Sequence, residues 1–302
     1  MDAFKILDSI GINRQINLLM SSLETVCDGV FHLYYNWRHN IEKSVFSESE
    51  AIAQCVLQMV VCKIRTILTM CDGVNILPGK ESIKIMDIPS MIAVLRSLYE
   101  MAFVFHNIYA EQESEEERDI VLYLWEIRGL NNRQNLPIVP LSFKKKEEEE
   151  KKQIEDLKNK IEKIAANLNM SDEIRRQLTN VLSSKNVDIK GYRFKKDRNN
   201  NRIIAFESYR YEKGAEVLLR TDAPAYRFLS IYGHPSYLGV LQFGQMFNND
   251  TDKHYLRTIL TCACKLAYTI TTDFLEHIDG AYDAFSLLND DEKSFIMTLR
   301  NC

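Results

Sequence analysis

Glycine and proline are scarce: 302 residues contain only 11 Gly and 6 Pro. That is too few for a sandwich or barrel, whose many short strands each need turn residues, and it favours long helices. Runs of 18 apolar residues are missing, so no membrane-spanning helix is expected. The opening MDAFKILDSIGINRQ lacks a basic stretch leading into an apolar core and a cleavage site, so no signal peptide is expected either. An excess of one charge is absent: 38 Lys and Arg against 42 Asp and Glu leave a formal net charge of −4. Nothing global then draws the chain to nucleic acid or to an anionic membrane, and any polyanion site has to be local. The seven cysteines form no CxxC pair, and Cys55, Cys62 and Cys71 fall in apolar-periodic helical sequence. Free thiols in a reducing cytoplasm are the expectation. There is no phosphate-binding G-x-x-x-x-G-K-[ST], no dinucleotide fingerprint and no G-x-S-x-G elbow. Asp273, Glu276 and His277 share part of a helix face but lack a second carboxylate–histidine pair, so no metal and no cofactor are expected.

What is present is helical periodicity. An apolar share of 46% with 26% charged residues suits a globular chain. Phe4, Leu7, Ile10, Leu18, Leu19, Leu23, Val26 and Val30 recur at helical spacing, which predicts one helix over 3–45. Ser47 reads as the N-cap of the next, reaching about Cys71 and stopped by Asp72-Gly73. Pro89-Ser90 opens MIAVLRSLYEMAFVFHNIYAE, apolar nearly all round and hence central. Ser114 with Glu117 predicts a capping box, and the helix carrying Trp125 should end with Gly129 as its C-cap. Helices are expected again after Gly214, from Lys253 to about Ile278, and over 281–300. Strand-like alternation is nearly absent.

Residues 144–185 differ in character. Ile154, Leu157, Ile161, Ile164 and Leu168 form a seam two heptads long in a charge-rich stretch, and Ser171 starts a second helix through Leu178, Val181 and Leu182. The pair reads as an αα-hairpin inserted into a helical body of 1–143 and 186–302. The fold class is therefore all-α, a multi-helix bundle with an inserted hairpin. Lys190 to Arg202 follows, with six basic residues against one Asp and Tyr192 and Phe194 interleaved. It reads as a short hairpin or a loop, able to hold a phosphate backbone or merely polar.

Two constellations could carry chemistry. Arg96 and Glu100 lie one turn apart inside the central helix, where burial is costly unless each finds a partner. Tyr226, Ser230 and His234 stand four apart and share a face, which Arg227 joins. Pro235 pushes His234 out of helical geometry, toward a helix end where an imidazole can exchange a proton near neutral pH. Arg227 can hold a phosphate or oxyanion, and Ser230 or Tyr232 can orient a substrate. The plain alternative is a hydrogen-bonded helix terminus with Ser236 capping the next turn.

Arg-x-x-x-Glu on one buried helix, then Tyr-x-x-x-Ser-x-x-x-His-x-Ser, resembles a bacterial all-helical domain family of unknown function. LWEIRGLNNRQ at 124–134 is similar to its intervening element. Arg227-x6-His234 also resembles, more loosely, the signature of the HEPN superfamily, helical domains of which many are metal-independent ribonucleases. Phe228 stands where that signature commonly has a polar residue. The resemblance implies an endoribonuclease or a toxin or defence effector. His234, Arg227 and Glu100 would be catalytic, and Arg96, Ser230, Tyr226 and Ser236 would bind substrate. The rival reading is a non-catalytic helical module for a nucleotide, RNA or protein partner, with the polar cluster structural. The partners expected are RNA or a nucleotide and a second copy of the chain, with no membrane.

Overall fold

A computed structural model describes residues 10–42, 45–77, 83–135, 142, 144–184, 191–197, 199–221, 224–232, 236–248 and 251–300. Their elements, in order, are α1 (Ile12–His39), α2 (Glu48–Met70), β1 (Val74–Asn75), β2 (Lys84–Ile85), α3 (Ile88–Tyr109), α4 (Glu115–Gln134), α5 (Lys144–Asn167) and α6 (Asp172–Ser183). Then come β3 (Gly191–Lys196), β4 (Ile203–Tyr209), α7 (Tyr211–Leu219), α8 (Ala225–Tyr232), α9 (Tyr237–Gln245), α10 (Thr251–His277), α11 (Ala281–Ser286) and α12 (Asp290–Arg300). The chain is all-α, and the strands among the described residues form two antiparallel two-stranded sheets. It divides into two compact units, Met1–Phe105 with Tyr211–Cys302, and His106–Arg210.

In the first unit α1 packs against α2, α10, α11 and α12. Leu23, Val30 and Leu33 of α1, Leu57, Val60 and Ile64 of α2, and Ile259, Ala263 and Phe274 of α10 are all fully buried. Trp37 meets Phe274 edge-on and donates its indole N–H to the carbonyl of Asp279 at 2.8 Å. That carbonyl lies at the bend where Gly280, at φ +76°, separates α10 from α11. A backbone of this hand is open to glycine at little cost. α2 starts at a complete capping box: Ser47 accepts from the Glu50 amide, and the Glu50 carboxylate accepts from the Ser47 amide. Gly73, at φ +76°, turns the chain after α2.

α2 and α3 are long and apolar enough, by length and composition alone, to cross a membrane, although no uninterrupted 18-residue apolar run occurs. α3 meets its neighbours through bulk: Met91, Ile92, Leu98, Tyr99, Ala102 and Phe105 are out of water. Gly214 of α7 faces Phe103, where an added Cβ would stand 2.5 Å from the ring.

Three expected boundaries change. The first helix begins at Ile12 behind the extended Gly11 and ends at His39, short of residue 45; residues 3–9 lie outside the described set. Gly129 does not terminate α4, which runs to Gln134. Glycine in a helix costs about 1 kcal/mol. The turn beyond it is held by Arg133 and Gln134, both donating to Glu150 of α5, at 3.0 and 2.9 Å. The single terminal helix over 281–300 is two, divided at Asn289. Asn289 caps α12 by accepting from the Glu292 amide, while the Glu292 carboxylate accepts from the Asn289 amide.

The second unit contains α5 and α6, with Ile154, Leu157, Ile161, Ile174 and Leu178 buried. It reaches beyond 144–185 on both sides, because α5 lies along α4 and α6 lies against β4. β3 and β4 pair from Gly191↔Tyr209 to Lys196↔Ile203, with an irregularity after Lys195. Phe206 stacks on Tyr192 at 5.0 Å and packs on Phe194 at 4.9 Å. The free edge of β3 is completed by a side chain. Asn107 donates to the Tyr192 carbonyl at 2.7 Å and accepts from the Tyr192 amide at 3.2 Å. Its carboxamide thus supplies the donor and acceptor a neighbouring strand would.

Two substitutions test this packing. Gly214→Ala should cost about 1–3 kcal/mol by overpacking against Phe103, read as a lower urea midpoint at unchanged slope. Asn107→Ala leaves the Tyr192 amide without a partner, while Gln112 still donates to the Tyr192 carbonyl at 3.0 Å, so it should cost about 1–3 kcal/mol. Amide exchange at Tyr192 should accelerate in the same variant.

Candidate functional site

Arg96 and Glu100 sit on the same face of α3 because they are one turn apart. The Arg96 Nε donates to Glu100 Oε1 at 3.1 Å. The third member comes from α8: the Tyr226 hydroxyl accepts from Arg96 Nη2 at 3.1 Å and donates to Glu100 Oε1 at 3.0 Å. The Arg96 guanidinium also stands 5.4 Å from the centre of the Tyr226 ring. A phenol suits this position because it can accept from the cation and donate to the carboxylate together.

The triangle is half-buried: the side chains of Arg96 and Glu100 keep 21% and 32% of their exposure. Neither charge therefore bears the full cost of leaving water, and the pair is partly screened. Burial works to weaken the charge on Arg96, but the hydrogen bonds and charges of Tyr226 and Glu100 outweigh it and hold its pKa above the ordinary arginine value. Burial, aided by Glu100, raises the Tyr226 pKa against the opposing pull of Arg96, so the phenol keeps its proton.

Aromatic packing fixes the Tyr226 ring. Tyr211 and Tyr99 lie 5.0 and 5.6 Å away, Phe103 meets Tyr211 edge-on at 4.8 Å, and the Tyr99 hydroxyl donates to the Tyr211 carbonyl at 2.6 Å. Farther along α8, the Tyr232 and Tyr255 hydroxyls are 2.8 Å apart, tying α8 to α10. Burial, together with this pairing, raises the Tyr232 pKa.

The other expected residues are placed differently. Arg227 is exposed on α8, one residue after the anchored Tyr226. Ser230 turns its hydroxyl back to the Tyr226 carbonyl, at 2.9 Å, and does not reach Arg96 or Glu100. Ser236 accepts from the Gly239 amide at 3.0 Å as the N-cap of α9 and donates to the Ile231 carbonyl. His234 lies outside the described residues. Of the expected constellation, the coordinates thus join Arg96, Glu100 and Tyr226.

Sequence reading missed Tyr99 and Tyr255. Tyr211 had a faint signal, the aromatic cluster Tyr209-Arg210-Tyr211, but nothing local pairs Tyr255 with Tyr232. In the second unit, the basic segment is largely spoken for. Arg193 pairs with Glu111 and Glu207, Lys195 with Glu207, and Lys196 with Glu117 and Glu113. Those cations are already neutralised where a phosphate backbone would need them; Lys190 and Arg198 lie outside the described residues. Among the described residues, no three His, Cys, Asp or Glu side chains are grouped as a metal ion would need.

No protein family, curated protein or solved structure matches this chain.

Tyr226→Phe isolates the anchoring hydroxyl while keeping the ring. It should cost about 1–2 kcal/mol, measured by urea denaturation. Arg96→Ala should cost more, because it leaves Glu100 and the phenol without their donor. If Tyr226→Phe is as stable as the parent, the hydroxyl does not hold α8 on α3.

Proposed function

We propose that α8 presents a site for an RNA phosphodiester, with Arg227 holding the phosphate and His234 exchanging the proton, in a metal-independent endoribonuclease of HEPN-like type. The observation that carries this reading is the contrast between neighbours on α8. Tyr226 is locked between Arg96 and Glu100, and the adjacent Arg227 is exposed. A guanidinium on a pinned helix can meet an anion with little reorganisation, which is the condition for stabilising charge that develops during reaction. Glu100, engaged by two hydrogen bonds, acts here as a positioning residue for α8. Arg96 and Tyr226 serve the same scaffold. The Ser230 hydroxyl bonds back within α8, and Ser236 caps α9 and reaches the Ile231 carbonyl. An RNA substrate and the free thiols of Cys27, Cys55, Cys62, Cys71, Cys262 and Cys264 fit a cytoplasmic protein, as a toxin or defence effector would be.

One observation favours a second reading. The Arg96, Glu100 and Tyr226 groups satisfy one another, as they would in a non-catalytic helical module that binds RNA, a nucleotide or a protein through Arg227.

Labelled single-stranded and structured RNA pools, incubated with purified protein, separate the two. His234→Ala and Arg227→Ala should each lower the cleavage rate on the order of 10²-fold, with cleavage by the parent unchanged in a chelator. Both variants should keep the parent's melting curve. Binding without cleavage, weakened by Arg227→Ala, establishes the module instead. Equal background cleavage in all three proteins rejects the enzyme.

A further inference from the structure

Helix α9 turns apolar side chains both ways. Gly239 and Met246 are buried on its inner side, where Gln242 also reaches the Tyr232 hydroxyl. On its outer side Tyr237 is 80% exposed, Val240 67% and Leu238 51%, and Leu241 and Phe247 are exposed as well. Gly244 lies within this stripe, and nothing stands within 4 Å of where its Cβ would be. A lone exposed leucine is ordinary, but five large apolar side chains within eleven residues are not.

We infer that the outer face of α9 is a self-association surface, covered in solution by the α9 of a second copy of this chain. Charge points to that occupant. From 228 to 249 the sequence contains no Asp, Glu, Lys or Arg. In a two-fold contact each patch meets its own image, so any charge it carried would face its like. A patch free of charge meets its image without repulsion. Area agrees: the five side chains expose on the order of 600 Å² per copy, so pairing them buries up to about 1,200 Å², which reaches the low end of specific interfaces. The open Gly244 lets a second helix approach at the centre of the stripe. The inference is independent of the RNA reading, since it uses none of Arg227, His234 or the Arg96 triangle.

Sedimentation velocity of the full chain over a wide concentration range tests it. The parent should show a reversible monomer–dimer equilibrium. Val240→Glu should weaken it at least about tenfold, since a carboxylate near the centre would be desolvated against its like. Tyr237→Ser, a milder change at a highly exposed position, should weaken it in the same direction. Circular dichroism and thermal melting of both variants should match the parent. A parent monomeric at every concentration overturns the inference, as does a dimer that neither substitution weakens. Binding of a monomeric parent to phosphatidylcholine vesicles, with or without phosphatidylglycerol, also overturns it by giving the face to lipid.

Discussion

Placing a guanidinium and a carboxylate one turn apart on α3 constrains what packs on that helix. Leu95, Leu98, Tyr99, Ala102 and Phe103, their neighbours on α3, are out of water. The two charges need a neighbour that can serve both, or each loses hydrogen bonds that water would have made. A single phenol from α8 meets the need, reaching Arg96 and Glu100 at about equal distance. The ring is then steadied by Tyr211 and Tyr99, and Gly214 lets α7 come close to Phe103. The placement of α7 and α8 follows from that first requirement, and with it the outward setting of Arg227.

The second unit solves a related problem with backbone groups. A two-stranded hairpin leaves edges with unpaired donors and acceptors. Asn107 closes part of the β3 edge, Gln112 adds a second donor to the Tyr192 carbonyl, and the Ile203 amide of β4 donates to the Asn169 carbonyl. The carboxylates of Glu111, Glu117 and Glu207 gather the cations of β3 around the same hairpin. Three cations of the basic, aromatic strip, Arg193, Lys195 and Lys196, are in space half of an ion-pair network.

Much of this was legible where the signal was local. The caps at Ser47, Ser114 and Ser171 could be read because cap and partner lie three residues apart. Arg96 with Glu100 was legible for the same reason, and Tyr226, one residue of the expected 226–234 face, joins that pair. Local signals failed where distant ones outweighed them. Gly129 looks like a helix end until Glu150, on another helix, rewards the next turn. Ser230 looks available until its own helix supplies the Tyr226 carbonyl. The exposure of α9 was not legible at all, since an apolar stretch reads as core whichever way it faces. The pairing of Tyr232 with Tyr255 leaves no trace in residue spacing.

The chain carries two tryptophans, and the fold treats them oppositely. Trp37 is shut away in the first unit with its indole nitrogen bonded to Asp279, whereas Trp125 on α4 of the second unit remains more than a third exposed. An indole in a dry setting emits at shorter wavelength than one in water. The protein thus carries one tryptophan per unit, in unlike surroundings and without any label. Emission at the blue edge follows the helices around α1, and emission at the red edge follows the unit built on the charged hairpin. Whether the two melt together or in turn is written in the colour of the protein's own light.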